Sequence, residues 1–551
     1  MDEKRRRYRR FASAMKTTRE TFEPHWRELT EFIQPYRAQF DRTDVNKGTK
    51  KYTKIINSTA SLALRSIMAG MMGGVTSPSR QWLRLSLQDF TLAEGGEEKI
   101  WLEDVTKRMG TLLSRSNLYN VLPNVYGDAA MVGTSAIFVD DEDADDVLRS
   151  YSLPVGSYFI MCDARGKVNG FYREMTLTVR KVVEQFGTDN LSRTLKDKWE
   201  SENGKDQEVT ICHIVVPNDE YNSQSKFSKK YTSVYYESSG NNDVMLREKG
   251  YDYFPVLCLR WNMNTGDTYG TDCPGMAALG DIKALQKMEK HKAQAIEKLV
   301  NPPMTGPESL KRTALSVVAG AMTYADERND QKGLRPIYEV SPHIMELSNG
   351  IREHELRIKR AFYEDLFLMM VTSDRREMTA REVDERHEEK MWMLGSVLER
   401  INTDLLSPLV EIVFNAMLKR DLIPSAPESI AGANLNIEFV SILHHAQKAG
   451  SLAGIERLLT FATNTMQLDP EVVDKLDRDQ MVDEYAEILG SPPRAIRSDA
   501  QVAEIRSQRR QAQAAQHQMQ SMQQQTEMMK NVASATTGDN EVTKALGEGR
   551  T

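Results

Sequence analysis

Apolar residues recur at helical spacing through the first forty positions. Phe11, Met15, Phe22, Trp26, Leu29 and Ile33 stand three, four or seven apart up to Pro35, which predicts a helix over 1–40. A second helix is predicted over 52–72, rich in small side chains and closed by Gly73 and Gly74. The run QWLRLSL follows, with Trp82, Leu83, Leu85 and Leu87 as its apolar positions, and reads as a strand. Another helix is expected over about 97–118.

From 130 to 260 the period shortens. TSAIFVD, SYFIMCD, GFYREMTLT, EVTICHIVVP, TSVYYES and FPVLCLRW are short β-type runs separated by polar turns. After 270 the helical period returns. Residues 275–300 predict one long helix, stopped by Asn301, Pro302 and Pro303, and 344–369 predict a second. Thr379 and Glu382 frame a capping box that opens a third, whose stripe includes Val383, Leu394, Val397, Ile401, Leu405, Leu409 and Ile412. Pro408 lies inside that stripe and should kink the helix, because it removes a hydrogen bond and crowds the preceding turn. Shorter helices are expected over 437–510, then a Gln/Met-rich segment over 510–530 that is a coiled coil, a barrel helix or a floppy tail. The fold class is therefore α+β, mainly α.

Composition narrows the chemistry. Across 551 residues the hydrophobic share is 40% and the formal net charge −7, so the chain as a whole is not a phosphate-neutralising wrap around nucleic acid. The basic run from Lys4 to Arg10 reads as a solvated helix start in preference to a nucleic-acid contact. Cys162, Cys212, Cys258 and Cys273 are scattered, without metal or disulfide spacing, and fit a reducing compartment. No apolar run is long enough to span a membrane, and the N-terminus lacks a signal peptide's apolar core.

No phosphate-cradling loop, dinucleotide fingerprint, zinc-protease motif or nucleophile elbow occurs. His444 and His445 are adjacent and point apart, so they do not converge on a metal. The acidic run Asp140 to Asp146 lacks the central glycine and closing glutamate of a calcium loop. The residues thus predict no catalytic site, no metal and no cofactor.

The order of elements carries a resemblance. Tyr269 and Gly270, Pro274 and Gly275, then LGDIKALQKMEKHKAQAIEKLVNPPM, resemble the first stem helix of portal (head-to-tail connector) proteins of short-tailed, T7-like bacteriophages. VTSDRREMTAREVDER resembles that family's tunnel loop and the start of its kinked wing helix, and INSTASLALRSIMAGMMGGVTSPSRQWLRL its N-terminal signature. The resemblance covers roughly 50–510. It implies a wing over 1–270, stem helices over 271–300 and 344–370, and a mixed α/β clip over 301–343 between them. A tunnel loop over 371–378, a long wing helix and return over 379–436, a helical crown over 437–510 and a tail over 511–551 complete the division.

It further implies a dodecameric ring at one capsid vertex of the virion, made in the host cytoplasm, through which double-stranded DNA passes without sequence readout. Terminase large subunit, tail adaptor, major capsid and scaffolding proteins are the implied partners, with no membrane. Thr372, Ser373, Asp374, Arg375, Arg376 and Glu377 become candidate DNA-facing loop residues, where the residues alone read as a salt-bridged surface loop. Lys283, Lys287 and Lys290, four and three apart on one helix face, become candidate channel residues or else a solvated or intersubunit face. Glu353 with Arg357, and Glu355 with Lys359, are spaced for ion pairs along the second stem helix. The rival readings are a tail or adaptor protein, a packaging enzyme, and a helical scaffold carrying a β-domain.

Overall fold

In the computed structural model the described residues run from 2 to 537, except 42–45, 47, 88–95, 142–146, 223–227, 240–243, 303, 306–334, 337–342, 368–393, 431–434, 440–453 and much of 455–498. The chain divides into two compact units: residues 1–84, 107–423 and 439–453 form the first, and 85–106, 424–438 and 454–551 the second.

The first unit opens on α1 (Asp2–Glu20) and α2 (Glu23–Ile33), where the periodicity predicts one helix. Pro24 explains the break: it lies at the start of α2, where its missing N–H costs nothing, and it cannot continue a helix from the preceding residues. Helix α3 (Thr59–Gly74) starts later than predicted because Asn57 accepts from the Thr59 amide at 2.9 Å and fixes the first turn. Residues 85–106, with most of β1 (Leu83–Leu87) and the first half of α4 (Gly96–Arg115), belong to the second unit, and beyond them the first unit resumes with a helix the periodicity does not reveal, α5 (Leu118–Val132). Leu118, Leu122, Val125, Tyr126, Met131 and Val132 are all buried, so apolarity all round replaces the one-sided stripe. Each large side chain there contributes about 1.5–3 kcal/mol by leaving water.

The β region holds two antiparallel sheets. In the smaller, β2 (Thr134–Asp140) lies between β3 (Arg149–Ser152) and, across the unit, a strand at Val256–Arg260. The larger has five strands in sequence order: β4 (Tyr158–Cys162), β5 (Val168–Thr178), β6 (Glu208–Pro217), β7 (Tyr231–Glu237) and β8 (Met245–Tyr251). Two short helices, α6 (Val179–Phe186) and α7 (Arg193–Glu200), fall between β5 and β6, and the strand Val256–Arg260 is β9. The period of two along β6 sorts its side chains. Cys212, Ile214 and Val216 pack with Tyr8, Ala12 and Met15 of α1 on one face, while Val209 and Ile211 pack with Val179, Val182 and Leu195 of α6 and α7. Each face of this sheet is thus covered by helices.

That packing changes the reading of the basic run. Arg5 is buried, donates to the Glu237 carbonyl at 2.8 Å and lies over the Tyr236 ring, and Arg7 pairs with Asp219. The solvated helix start expected from the sequence is corrected on its inner side, where the arginine stem covers apolar sheet and its head finds a carbonyl. Arg9 and Arg10 remain exposed.

Helix α8 (Pro274–Val300) matches its prediction closely. Its end is followed by β10 (Met304–Thr305), which pairs with β11 (Arg335–Pro336), so the two flanks of the 301–343 segment meet. Helix α9 (Ile344–Ala361) ends earlier than the predicted 369, at Phe362 and Tyr363, where Tyr363 takes φ 55°, a left-handed conformation that stops the helix. Helix α10 (Leu394–Lys419) is the long apolar one. Half of its most apolar window is buried, with Leu394, Ile401, Leu405, Leu409, Ile412 and Val413 in the core. In the second unit the described elements include a helical run over 456–463 and a final helix, α11 (Asp499–Thr537). Strand β12 (Leu435–Phe439) forms a two-stranded sheet with β1.

Candidate functional site

The candidate site is the pair α8 and α9, whose anchoring begins before α8. Tyr269 is fully buried, edge-on to Trp26 with ring centroids 5.1 Å apart, and its hydroxyl accepts from the Ile160 amide at 3.0 Å. The Gly270 amide donates to Thr134 Oγ1 at 2.8 Å. A Cβ on Gly275 would stand 2.2 Å from the Met131 carbonyl oxygen, so only glycine lets the first turn of α8 sit on the end of α5. The Tyr269–Gly270 and Pro274–Gly275 pairs therefore weld the long helix to the β-bearing body.

Halfway along α8, Gln286 forms a second anchor. Its side-chain oxygen accepts from the amides of Ile56 and Asn57 at 2.7 and 2.8 Å, and its nitrogen donates to the Asn57 carbonyl at 2.8 Å. Asn57 in turn donates to Glu289 on α8 and Glu355 on α9, at 3.1 and 2.9 Å. One asparagine at the start of α3 thus ties both long helices together. Sequence reasoning missed this node, although Asn57 two residues ahead of a helix was visible as a capping signal.

The two helices run antiparallel. Asp281 accepts from His354 at 2.7 Å and lies 3.7 Å from Arg357, while Met288 abuts Gly350, where a Cβ would fall 2.6 Å from its methyl. Glu353 and Arg357 do pair, as their spacing suggested. Glu355 and Lys359 do not: Glu355 turns inward to Asn57, and Lys359 reaches Glu364 instead. The half-buried amide of Asn57 competes better for that carboxylate than an exposed lysine, whose pairing is worth little in water.

Lys283, Lys287 and Lys290 all stand on the exposed face of α8. Lys283 pairs with Glu28 of α2, whereas Lys287 and Lys290 have no ion-pair partner among the described residues. Toward the end of α8 the apolar side chains also reach solvent, with Ile296 42%, Leu299 47% and Val300 71% exposed. On α9, Met345 and Leu356 are exposed as well. These side chains give the far part of the helix pair an apolar, solvent-facing side.

Pro408 stands in the opening turn of the regular helix Ser407–Lys419, directly after a π-helical stretch, Ile401–Leu406. The wider turn accommodates a residue with no N–H to give the carbonyl four positions back. It also presents Asp404 to Arg260 on β9, at 3.2 Å, and Arg260 donates on its other side to the Gly166 carbonyl at 2.8 Å. Burial raises the Asp404 carboxyl above its ordinary value, and Arg260 only partly offsets that. No local sequence signal joins residues 144 apart in the chain.

Thr372, Ser373, Asp374, Arg375, Arg376 and Glu377 lie outside the described residues, as do Val383 and the pair His444 and His445. Among the described residues no group of three His, Cys, Asp or Glu side chains is placed to hold a metal. The four cysteines are unpaired thiols, and burial pushes those of Cys258 and Cys273 up, the latter to about 12, which leaves them protonated and unreactive.

Residues 5–497 match the family described as bacteriophage head to tail connecting protein. The chain is 41% identical over 506 residues to the portal protein of Salmonella phage epsilon15, covering 91% of this chain and 90% of that one. It is 38% identical over 526 residues to the probable portal protein of Bordetella phage BPP-1, covering 95% and 94%. Among solved structures, the neck of an empty GTA particle aligns over 73% of this chain and 86% of that one at TM-score 0.35 and 10% identity, too loose a likeness to bear on fold or function. A near-complete family match, two relatives of nearly equal length and a body built around two welded long helices lead to one statement: this chain belongs to the bacteriophage head-to-tail connecting protein family, the portal proteins.

Proposed function

We propose that this chain assembles into a ring at one vertex of a phage capsid and forms the channel through which double-stranded DNA enters during packaging and leaves on ejection. The observation that carries the reading is the 41% identity to a portal protein across nine-tenths of both chains. Helices α8 and α9 are the stem in this reading, and the paired flanks of 301–343 are the base of the clip, which receives the terminase motor first and the tail adaptor later. The ring is a dodecamer, and Arg375 and Arg376 of the 371–378 loop face the channel. The function is structural, with the chemistry of packaging residing in the motor.

The physical case for a stem is the division of labour along α8. Its inner face is fixed by Gln286 and Asp281, while its outer face offers Lys287 and Lys290 to water and its end offers Ile296, Leu299 and Val300. A repeated lysine row attracts phosphate at long range without reading bases, which suits a conduit for any sequence.

The test is genetic complementation. Capsids made without this chain should assemble yet contain no packaged DNA, and supplying it in trans should restore filling. DNA-filled, infectious particles lacking the chain would overturn the reading. In the same system, Arg375→Ala with Arg376→Ala should reduce the amount of DNA retained per particle; unchanged retention removes the role given to that loop.

A further inference from the structure

One row of side chains crosses the five-stranded sheet. Tyr158, Arg173, His213, Tyr235 and Arg247 lie directly opposite one another on β4 to β8, so all five point to one face. At the centre of the row His213 is fully buried. Its ring stacks on Tyr235, with centroids 3.9 Å apart, and stands edge-to-face with Phe171 of β5 and with Phe138 of β2 in the smaller sheet.

Both ring nitrogens are engaged. Arg173 Nε donates to Nδ1 at 3.3 Å, which leaves the ring proton on Nε2, and that N–H donates to Ser233 Oγ at 2.9 Å. The imidazole is therefore neutral and held in one tautomer. Among the described residues no carboxylate meets it. Arg173, over the Phe138 ring, faces it from β5, Tyr235 and Ser233 from β7, and Phe138, backed by Tyr151 of β3, from β2. The charges beyond these are engaged elsewhere: Arg247 donates to the Gln185 carbonyl of α6, Lys249 of β8 lies 3.9 Å from Asp140 of β2, and Glu237 of β7 accepts from Ser192. Burial, with Arg173 beside it, holds the imidazole well below its ordinary range.

We propose that His213 is an acid-operated latch between the two sheets. Neutral, it lets Arg173 and the rings of Phe138, Phe171 and Tyr235 pack closely between β2 and the middle of the larger sheet. Protonated, it has no lone pair left for Arg173 and sets a second cation against the first in an apolar setting, so β2 parts from β5, β6 and β7. The edges stay tied. The Tyr158 hydroxyl donates to the Thr134 carbonyl at 3.1 Å and Lys249 lies 3.6 Å from Asp141. Tyr158 is raised by burial and Asp141 is held low, so neither titrates near neutrality. The junction loosened in this way separates the sheet that carries α1, α6 and α7 from the one to which α8 and α10 are bonded through Thr134 and Arg260. The latch operates in a single copy of the chain as in a ring.

The test is hydrogen exchange of the full chain followed by mass spectrometry, with protection corrected for the intrinsic effect of pH. An exposed imidazole takes up its proton at about pH 6.5, so an opening that frees His213 is favoured about tenfold at pH 5.5 over pH 7.5. Peptides covering β2, β6 and β7 should lose about that factor of protection, while peptides of α8 and α9 keep theirs. His213→Gln, which keeps an acceptor and a donor without a titrating ring, should show the same protection at both pH values. Unchanged wild-type protection, a loss that begins only below about pH 5, where carboxylates titrate, or an equal loss in His213→Gln would overturn the proposal. The first two outcomes are read on the wild type alone, so they decide the matter even where the variant fails to fold.

Discussion

Replacing Gln286 with Leu should loosen the hold of α8 on the chain entering α3. Leucine is close to glutamine in volume, so little cavity is left and the loss is chiefly of hydrogen bonds. Three are removed: two backbone amides, Ile56 and Asn57, lose their acceptor, and the Asn57 carbonyl loses a donor. An unsatisfied buried group costs about 1–3 kcal/mol, and the half-buried setting of these groups places each near the lower end. The sum is about 3 kcal/mol, or roughly a hundredfold in the local opening equilibrium. Hydrogen exchange of the intact protein, followed by mass spectrometry on peptides covering 52–62, reads that equilibrium directly. Amides at 56 and 57 should exchange roughly a hundredfold faster, while peptides from the five-stranded sheet stay unchanged. Unaltered protection at 56 and 57 would refute the anchoring of α8 by Gln286.

Other outcomes follow from the buried charges and the tight contacts. Arg260→Met should cost about 3 kcal/mol or more at neutral pH by leaving Asp404 buried without its partner, and the double change with Asp404→Leu should recover most of it in thermal unfolding. The single variant's deficit should shrink in acid, because Asp404 already titrates above its ordinary value and protonates more readily once Arg260 is gone. Asp141 behaves oppositely: burial pushes its carboxyl up, but Tyr253, Lys419 and Lys249 together hold it below the usual carboxylate range. Its stabilisation is therefore present above about pH 4 and lost as pH falls through the folded value, so Asp141→Asn should be less stable than the wild type at neutral pH and converge with it in acid titration. Gly70→Ala should destabilise by about 1–3 kcal/mol in spite of alanine's better helix propensity, since its Cβ would fall 2.1 Å from the Phe367 ring and 2.8 Å from that residue's Cβ, which a ring rotation does not relieve.

The sequence was informative wherever one periodicity dominated. The six strong β runs became strands, and α8 ended within a residue of its predicted stop, because alternation and the Asn301, Pro302, Pro303 signal are local properties. The strands β3 and β8 carry no such signal, since RSYS and MLREKGY are polar edge strands with little apolar alternation. Helix α5 was missed for the opposite reason: buried on all sides and carrying Pro123, it has no polar face to create a period. The break between α1 and α2 was legible in Pro24 and was overridden by the longer stripe. At the candidate site, the shared face of Lys283, Lys287 and Lys290 followed from helical spacing alone. The links that fix that helix, Asn57 to Gln286 and Arg260 to Asp404, join residues 229 and 144 apart and exist only once the chain has folded.

In the proposed function, copies of this chain close into a ring around a DNA-sized passage. Electron microscopy of the purified full-length protein tests it most directly. Class averages should show closed rings of one symmetry, each with a single central hole wide enough to admit a DNA duplex. Monomers, open filaments or closed particles without a hole, under conditions where the chain is folded, would contradict the account.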